Sequence, residues 1–166
     1  DLRLMHPYAE LHCHSGFSFL DGASDPEELV AEAVGLGLTT MALTDHHGLF
    51  GVVRFAEAAR AMGVATIFGA EVTLGAGERT GVVDPSGEHL VILARSPEGY
   101  RQLARTLATA HLRRGEKGPP IVTLDDLAPN AAQWAVLTGC RKGPLAQALT
   151  TGGPSALARR GEELRE

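Results

Sequence analysis

The chain has 166 residues, 44% of them hydrophobic and 21% charged, which suffices for one sizeable core. Its formal charge of -5 argues against a domain that grips nucleic acid by bulk electrostatics, since phosphate binding normally shows as a basic excess. With only Cys13 and Cys140, no signal peptide and no apolar run of membrane-spanning length, the expectation is a cytoplasmic protein without a disulfide framework or a membrane partner.

The segment Tyr8 to His14, YAELHCH, alternates as a first strand. SDPEELVAEAVGLG then reads as a helix, with Asp25 as N-cap, Pro26 at the first helical position, Glu28 completing a capping box and Gly37 closing it. TTMALTD is a β-prone second strand, LFGVVRFAEAARAMG has helical apolar spacing and stops at Gly63, and VATIFGAEVTL is a third strand. The stretch from Gly75 to Glu88, rich in Gly, Asp, Pro and Ser, favours a long hairpin over a helical crossover before HLVILAR. SPEGYRQLARTLATAHLRR is the next helix, capped by Ser96 with Pro97 inside it, and GEKGPP is a loop. WAVLTG is another buried strand, and GPLAQALTTGG and PSALARRGEELRE give two final helices. Strands alternating with helices predict a largely parallel α/β layout, a doubly wound sheet or a barrel, with chemistry at the carboxyl ends of the strands. A closed barrel usually needs roughly 200 residues or more. The chain starts at Asp1 without a methionine and ends on charged RRGEELRE, which suggests a piece of something longer.

His12 and His14 lie two apart on the first expected strand, so their imidazoles leave one face and suit a transition metal. Alone, such a pair fits a buried polar pair equally well, and Cys13 between them points the other way as a small core residue. TDHHG delivers Asp45, His46 and His47 to the same rim, and FGAEVTL carries Glu71, an acid that is costly to bury without a cation or partner. Several acids and imidazoles at successive strand ends are hard to explain as coincidence. Asp21, in LDG, is within reach of that rim, although a turn would account for it. His89 opens HLVILAR, and reaches the rim only if the hairpin pairing is offset. Cys140 follows WAVLTG at a strand end, where a thiolate could complete a site, although alone it reads as a buried thiol.

Together, ELHCHS…LDG, ALTDHHGLFGVVRFAEAAR, FGAEVTL, HLVILARSPEGY and LTGCRKGP resemble the polymerase-and-histidinol-phosphatase (PHP) domain of bacterial C-family DNA polymerases, nearest the error-prone branch. The resemblance runs over nearly all of residues 1–166. It implies a distorted seven-stranded (β/α) barrel of TIM-like type holding up to three divalent transition metals, zinc, manganese or iron. It further implies that His12, His14 and Glu71 hold one ion and carry catalysis through it, that Glu71 bridges to a second held by His89 and Cys140, and that Asp21 and His46 hold a third. Asp45 and His47 become neighbours of that centre. The family pattern adds an acid and a histidine from a late strand; here the last histidine is His111, so an incomplete barrel, truncated before that strand and with exposed sheet edges, is expected.

The implied substrate is a DNA primer 3′ terminus, and the implied partner is the remainder of a polymerase chain. Arg141 and Lys142, just after Cys140, are the candidate phosphate contacts; a solvated helix face accounts for Arg101, Arg105, Arg113, Arg114 and Lys117. Three functions compete: a metal-dependent phosphoesterase or proofreading-type exonuclease within an error-prone polymerase, a non-catalytic metal-bound scaffold supporting the polymerase, and a free-standing phosphatase of small molecules.

Overall fold

A computed structural model describes residues 8–75, 87–115, 118 and 120–165. The elements run α1 (Pro26–Gly35), β1 (Thr40–Leu43), α2 (Val52–Met62), β2 (Ala65–Leu74), β3 (Glu88–Ala94), α3 (Pro97–Arg114), a short α4 (Leu124–Leu127), a 3₁₀ segment (Ala128–Gln133), β4 (Trp134–Leu137) and α5 (Pro144–Glu163). The strands form one sheet in the order β1-β2-β3-β4.

Helix boundaries follow local chemistry. Glu28 accepts the Asp25 backbone N–H at 2.9 Å, Pro26 occupies the start of α1, and Gly37 follows the helix in the left-handed region. Ser96 Oγ accepts the Gly99 N–H at 3.1 Å to cap α3, and Gly63 ends α2 with φ 75°. The two helices expected at the end are present as the two parts of α5, separated at Gly153, whose non-helical backbone with φ 69° breaks the run before Pro154. The expected loop after Gly75 lies largely outside the described residues, as does Lys117.

The sheet departs from a parallel layout. β1 pairs with β2 in parallel, but β2–β3 and β3–β4 are antiparallel. The hairpin accounts for the first reversal, and the segment after α3 returns Trp134–Leu137 against β3 in the opposite sense. Both faces of the central strands are covered. Ala70, Val72, Leu90 and Ile92 pack with Leu103, Leu107 and Ala110 of α3 on one face, while Ala42, Val91 and Leu93 fill the other. A second cluster joins β1 to α1 and α2 through Met41, Leu43, Val30, Phe55 and Ala59.

The expected first strand is present only as a bridge from Glu10 to Met41. Leu11 packs on the inner face with Ala42 and Val91, so unbroken alternation would send His12 and His14 outward. A bend at His12 shifts the phase by one residue: Cys13 packs in the α1–α2 cluster, and both imidazoles turn inward. The Thr44 side chain takes over from the ladder, accepting the Cys13 N–H at 3.0 Å, while the Cys13 carbonyl accepts the Thr44 N–H at 2.8 Å.

Among the described residues, no helix is long and apolar enough to cross a membrane.

Phe55 is fully buried and meets the Phe68 ring edge-on at 6.2 Å. Phe55→Ala should therefore lower unfolding free energy by about 3–5 kcal/mol in a denaturant titration. A separate pH effect is expected at Asp126. The Arg113 guanidinium, 2.6 Å away, lowers the Asp126 pKa from 3.8 to about 2, against the opposing effect of burial and with help from Thr123. A depressed carboxylate pKa stabilises the fold above its unfolded value, and that contribution fades as pH falls from about 4 to about 2. Because Arg113 is largely solvated, Asp126→Asn should cost roughly 0.5–1 kcal/mol at pH 7, with the gap to the parent closing over that acid range.

Candidate metal centre

Glu71 is the middle of the site. It lies three residues before the end of β2 and is only 2% exposed, on the face shared with Thr73, His89 and Val91. Its carboxylate meets His12 Nε2 and His89 Nδ1 directly, and His14 Nε2 at 3.0 Å. Burial alone would raise its pKa; the hydrogen bonds from these three imidazoles prevail and hold it well below the usual carboxylate range.

His89 reaches Glu71 without an offset hairpin. The register pairs Glu71 with Val91 and Thr73 with His89, which makes His89 a diagonal neighbour on the same face. His46 arrives by a different route: the parallel pairing of β1 and β2 continues beyond β1 to a bridge between His46 and Glu71. The Glu71 N–H donates to the Asp45 carbonyl at 3.1 Å, and the His47 N–H donates to the Glu71 carbonyl at 2.8 Å.

Asp21 comes from the loop after His14. Its Oδ2 faces His14 Nδ1 and lies 3.0 Å from His46 Nε2. Burial tends to raise the Asp21 pKa, but the two histidines carry it below its ordinary value. Conversely, burial opposes charge on His14, yet Glu71 and Asp21 raise its pKa; His46, more burdened by burial and by His14, is lowered.

Asp45 holds this loop rather than facing the cleft. It is 1% exposed and accepts the Ser15 N–H at 2.8 Å, the Ser15 hydroxyl at 2.8 Å and the Ser18 hydroxyl at 2.7 Å. The loop then turns tightly at Gly22, where a Cβ would stand 2.0 Å from the Ser15 carbonyl oxygen. Ser15 and Ser18 escaped the sequence reading. Their signal was the spacing of two hydroxyls before LDG beside an aspartate on a neighbouring strand, which becomes informative only once the two segments are known to touch.

Among the described residues, three groups have donor atoms within 4.8 Å of one another: His12, His14 and Glu71; His14, Asp21 and His46; and His46, Glu71 and His89. Glu71, His14 and His46 each belong to two of them. These mixed nitrogen and oxygen donors fit a cluster of transition-metal ions better than magnesium or calcium, and a buried carboxylate ringed by imidazoles is the environment such ions favour.

Cys140 is exposed and stands in none of those groups, yet it lines the same cleft of about 260 Å³ with Arg141 and Lys142. Its loop is anchored to β3. The Lys142 carbonyl accepts the His89 N–H at 3.0 Å, and Gly139, at φ 72°, leaves no room for a Cβ, which would lie 2.6 Å from the His89 carbonyl oxygen. The more distant basic residues are engaged elsewhere: Arg101 pairs with Glu98 and Arg113 with Asp126. His47 stands beside the site with its Nε2 3.3 Å from Thr73 Oγ1, and burial together with the neighbouring histidines drives its pKa down to about 3.

A buried carboxylate joining three imidazoles within a mixed α/β sheet defines the chain's class: residues 10–166 match the PHP domain model, and the chain belongs to the PHP domain family. Its fold is that of PHP proteins, with the four described strands forming part of the barrel. The error-prone DNA polymerase of Mycolicibacterium paratuberculosis (strain ATCC BAA-968 / K-10) is 62% identical over 154 residues, covering 92% of this chain and 14% of that protein. That of Mycobacterium tuberculosis (strain ATCC 25618 / H37Rv) is 61% identical over 153 residues, covering 92% and 14% respectively. The chain thus spans about 14% of the length of these relatives. Among solved structures, a two-domain Bacteroides vulgatus protein containing a predicted PHP-like metal-dependent phosphoesterase shares the fold, with a TM-score of 0.51 at 19% identity over 87% of this chain and 41% of that one.

The two thiols should separate chemically. Burial, with the charges of Glu10 and Asp45, pushes the Cys13 thiol up to about 11, whereas Cys140 is exposed. Iodoacetamide at pH 8 should modify Cys140 at least about tenfold faster than Cys13, as read by peptide mass spectrometry. Prior addition of zinc should slow the Cys140 reaction if that thiolate joins the centre.

Proposed function

We propose that this chain is the PHP domain of an error-prone DNA polymerase, and that its cleft is a multi-metal phosphoesterase centre acting as an exonuclease on a DNA primer 3′ terminus. The observation that carries this reading is the Glu71 carboxylate, buried and shared among imidazoles from separate segments. In this reading His12, His14 and Glu71 hold one ion, Glu71 with His89 and Cys140 a second, and Asp21 with His46 a third. The likeness to error-prone polymerases supports the polymerase context, in which the remainder of the polymerase is the covalent partner of this domain.

When bound, zinc, manganese or iron ions supply Lewis acidity toward a phosphoester and acidify water. The chain's own residues do the rest. Glu71, kept ionised by its neighbours, sets the negative charge around which the donors converge. Asp45, through Ser15 and Ser18, fixes the loop that brings Asp21 to the cleft. Arg141 and Lys142, at the mouth, offer positive charge to a phosphodiester entering an otherwise acidic protein. Such local contacts suit a nucleic-acid end in a chain whose net charge is -5.

The exposure of Cys140 outside the tight donor groups favours a second reading, a metal-bound domain that braces the polymerase without turnover. One set of measurements separates the two. Elemental analysis of protein purified without chelator or nickel should find at least two ions per chain, falling with Glu71→Ala. The metal-loaded protein should shorten a 5′-labelled oligonucleotide from its 3′ end, and Glu71→Ala should reduce that rate by at least about a hundredfold. Metal retention with no shortening of the oligonucleotide would favour the scaffold, and hydrolysis of p-nitrophenyl phosphate alone would favour a small-molecule phosphatase.

A further inference from the structure

His47 adopts φ 56°, the left-handed region, where a residue bearing a Cβ is held only by its surroundings. Three hydrogen bonds to main-chain atoms hold this turn, two of them between backbone groups and one from a side chain. Its N–H donates to the Glu71 carbonyl at 2.8 Å, the Asp45 carbonyl accepts the Glu71 N–H at 3.1 Å, and the His47 carbonyl accepts from His111 Nε2 at 2.8 Å. The first two belong to the β1–β2 pairing. The third is a long-range side-chain contact, made from the last turn of α3 to the back of the metal cleft.

His111 itself stands outside the donor groups. Because its Nε2 faces a carbonyl, which can only accept, that nitrogen must carry the proton and is therefore not offered to an ion. Its hydrogen bond is thus made to the turn that aims His46 toward Asp21, Glu71 and His89 and that clamps the Glu71 backbone on its other side. We infer that His111 is a positioning residue for the centre: its hydrogen bond to the His47 carbonyl locks the left-handed turn and so fixes His46 relative to Glu71.

This inference rests on the metal-centre reading above. Its test compares His111→Leu and His111→Asn, which cannot make the bond, with His111→Gln, whose amide nitrogen can occupy the place of Nε2. Zinc affinity is measured by competition with a chromophoric chelator, and folding by circular dichroism on the same samples. In folded protein, His111→Leu or His111→Asn should weaken zinc binding about 10–100-fold, the range typical for loss of an outer-shell partner, and His111→Gln should restore most of it. Should the leucine variant fail to fold, the asparagine variant, which keeps polarity at this half-buried position, supplies the comparison. Unchanged zinc affinity in a folded variant lacking the bond, whether or not its melting temperature drops, overturns the inference and leaves the metal centre standing. Absence of zinc binding by the parent protein would remove the centre, and the role of His111 with it.

Discussion

A carboxylate placed in the interior, on the inner face of a central strand, is the constraint around which the rest of this structure is arranged. Stripped of water, Glu71 is tolerable only if hydrogen bonds and positive or polarisable partners replace its hydration. Those partners are His12, His14 and His89, with His46 bridged alongside. They come from three directions: the bent segment before α1, the end of β1, and the return arm of the hairpin. Each of those segments is itself held to the sheet by backbone pairing, so the imidazoles are positioned before any ion arrives.

A second buried carboxylate does a different job. Asp45 receives one backbone N–H and two serine hydroxyls, and so spends its charge on the loop that carries Asp21. The two acids illustrate how burial separates roles. Where the partners are hydroxyls and amides, the carboxylate organises backbone; where they are imidazoles that also bind metals, it becomes the centre of a ligand set. This division also explains why the segment from Ser15 to Gly22 is ordered by hydrogen bonds although Phe17, Phe19 and Leu20 within it are exposed.

In the proposed function, metal chemistry would reconcile the acidic composition with a nucleic-acid substrate. Arg101 and Arg113 are committed to carboxylates on the protein surface, so the positive charge at the mouth of the cleft rests with Arg141 and Lys142. A cation cluster inside the cleft would supply there the field that the chain as a whole lacks.

Much of the local structure was written in the sequence, because it depends on neighbours in the chain. Asp25, Pro26 and Glu28 mark the start of α1 and Ser96 that of α3, each through hydrogen bonds or dihedral limits spanning a few residues, and the composition after Gly75 anticipated the antiparallel pairing of β2 with β3. His12, His14, His46 and Glu71 stood out as imidazoles and an acid beside apolar runs, which are costly without a purpose, whereas Asp21 and His89 were implied chiefly by the resemblance to the PHP domain. What only the tertiary structure decided was direction. Regular alternation from Glu10 would have turned His12 and His14 outward, and the bend that corrects this depends on Thr44 replacing a ladder bond from another strand. The diagonal approach of His89 depends on a register set by two packed faces, and the antiparallel return of β4 on what α3 and β3 leave open. Ser15, Ser18 and His111 stayed hidden for the same reason: each acts on a residue distant in the chain, and a hydroxyl or imidazole has no distinctive pattern until the backbone it bonds has been brought beside it.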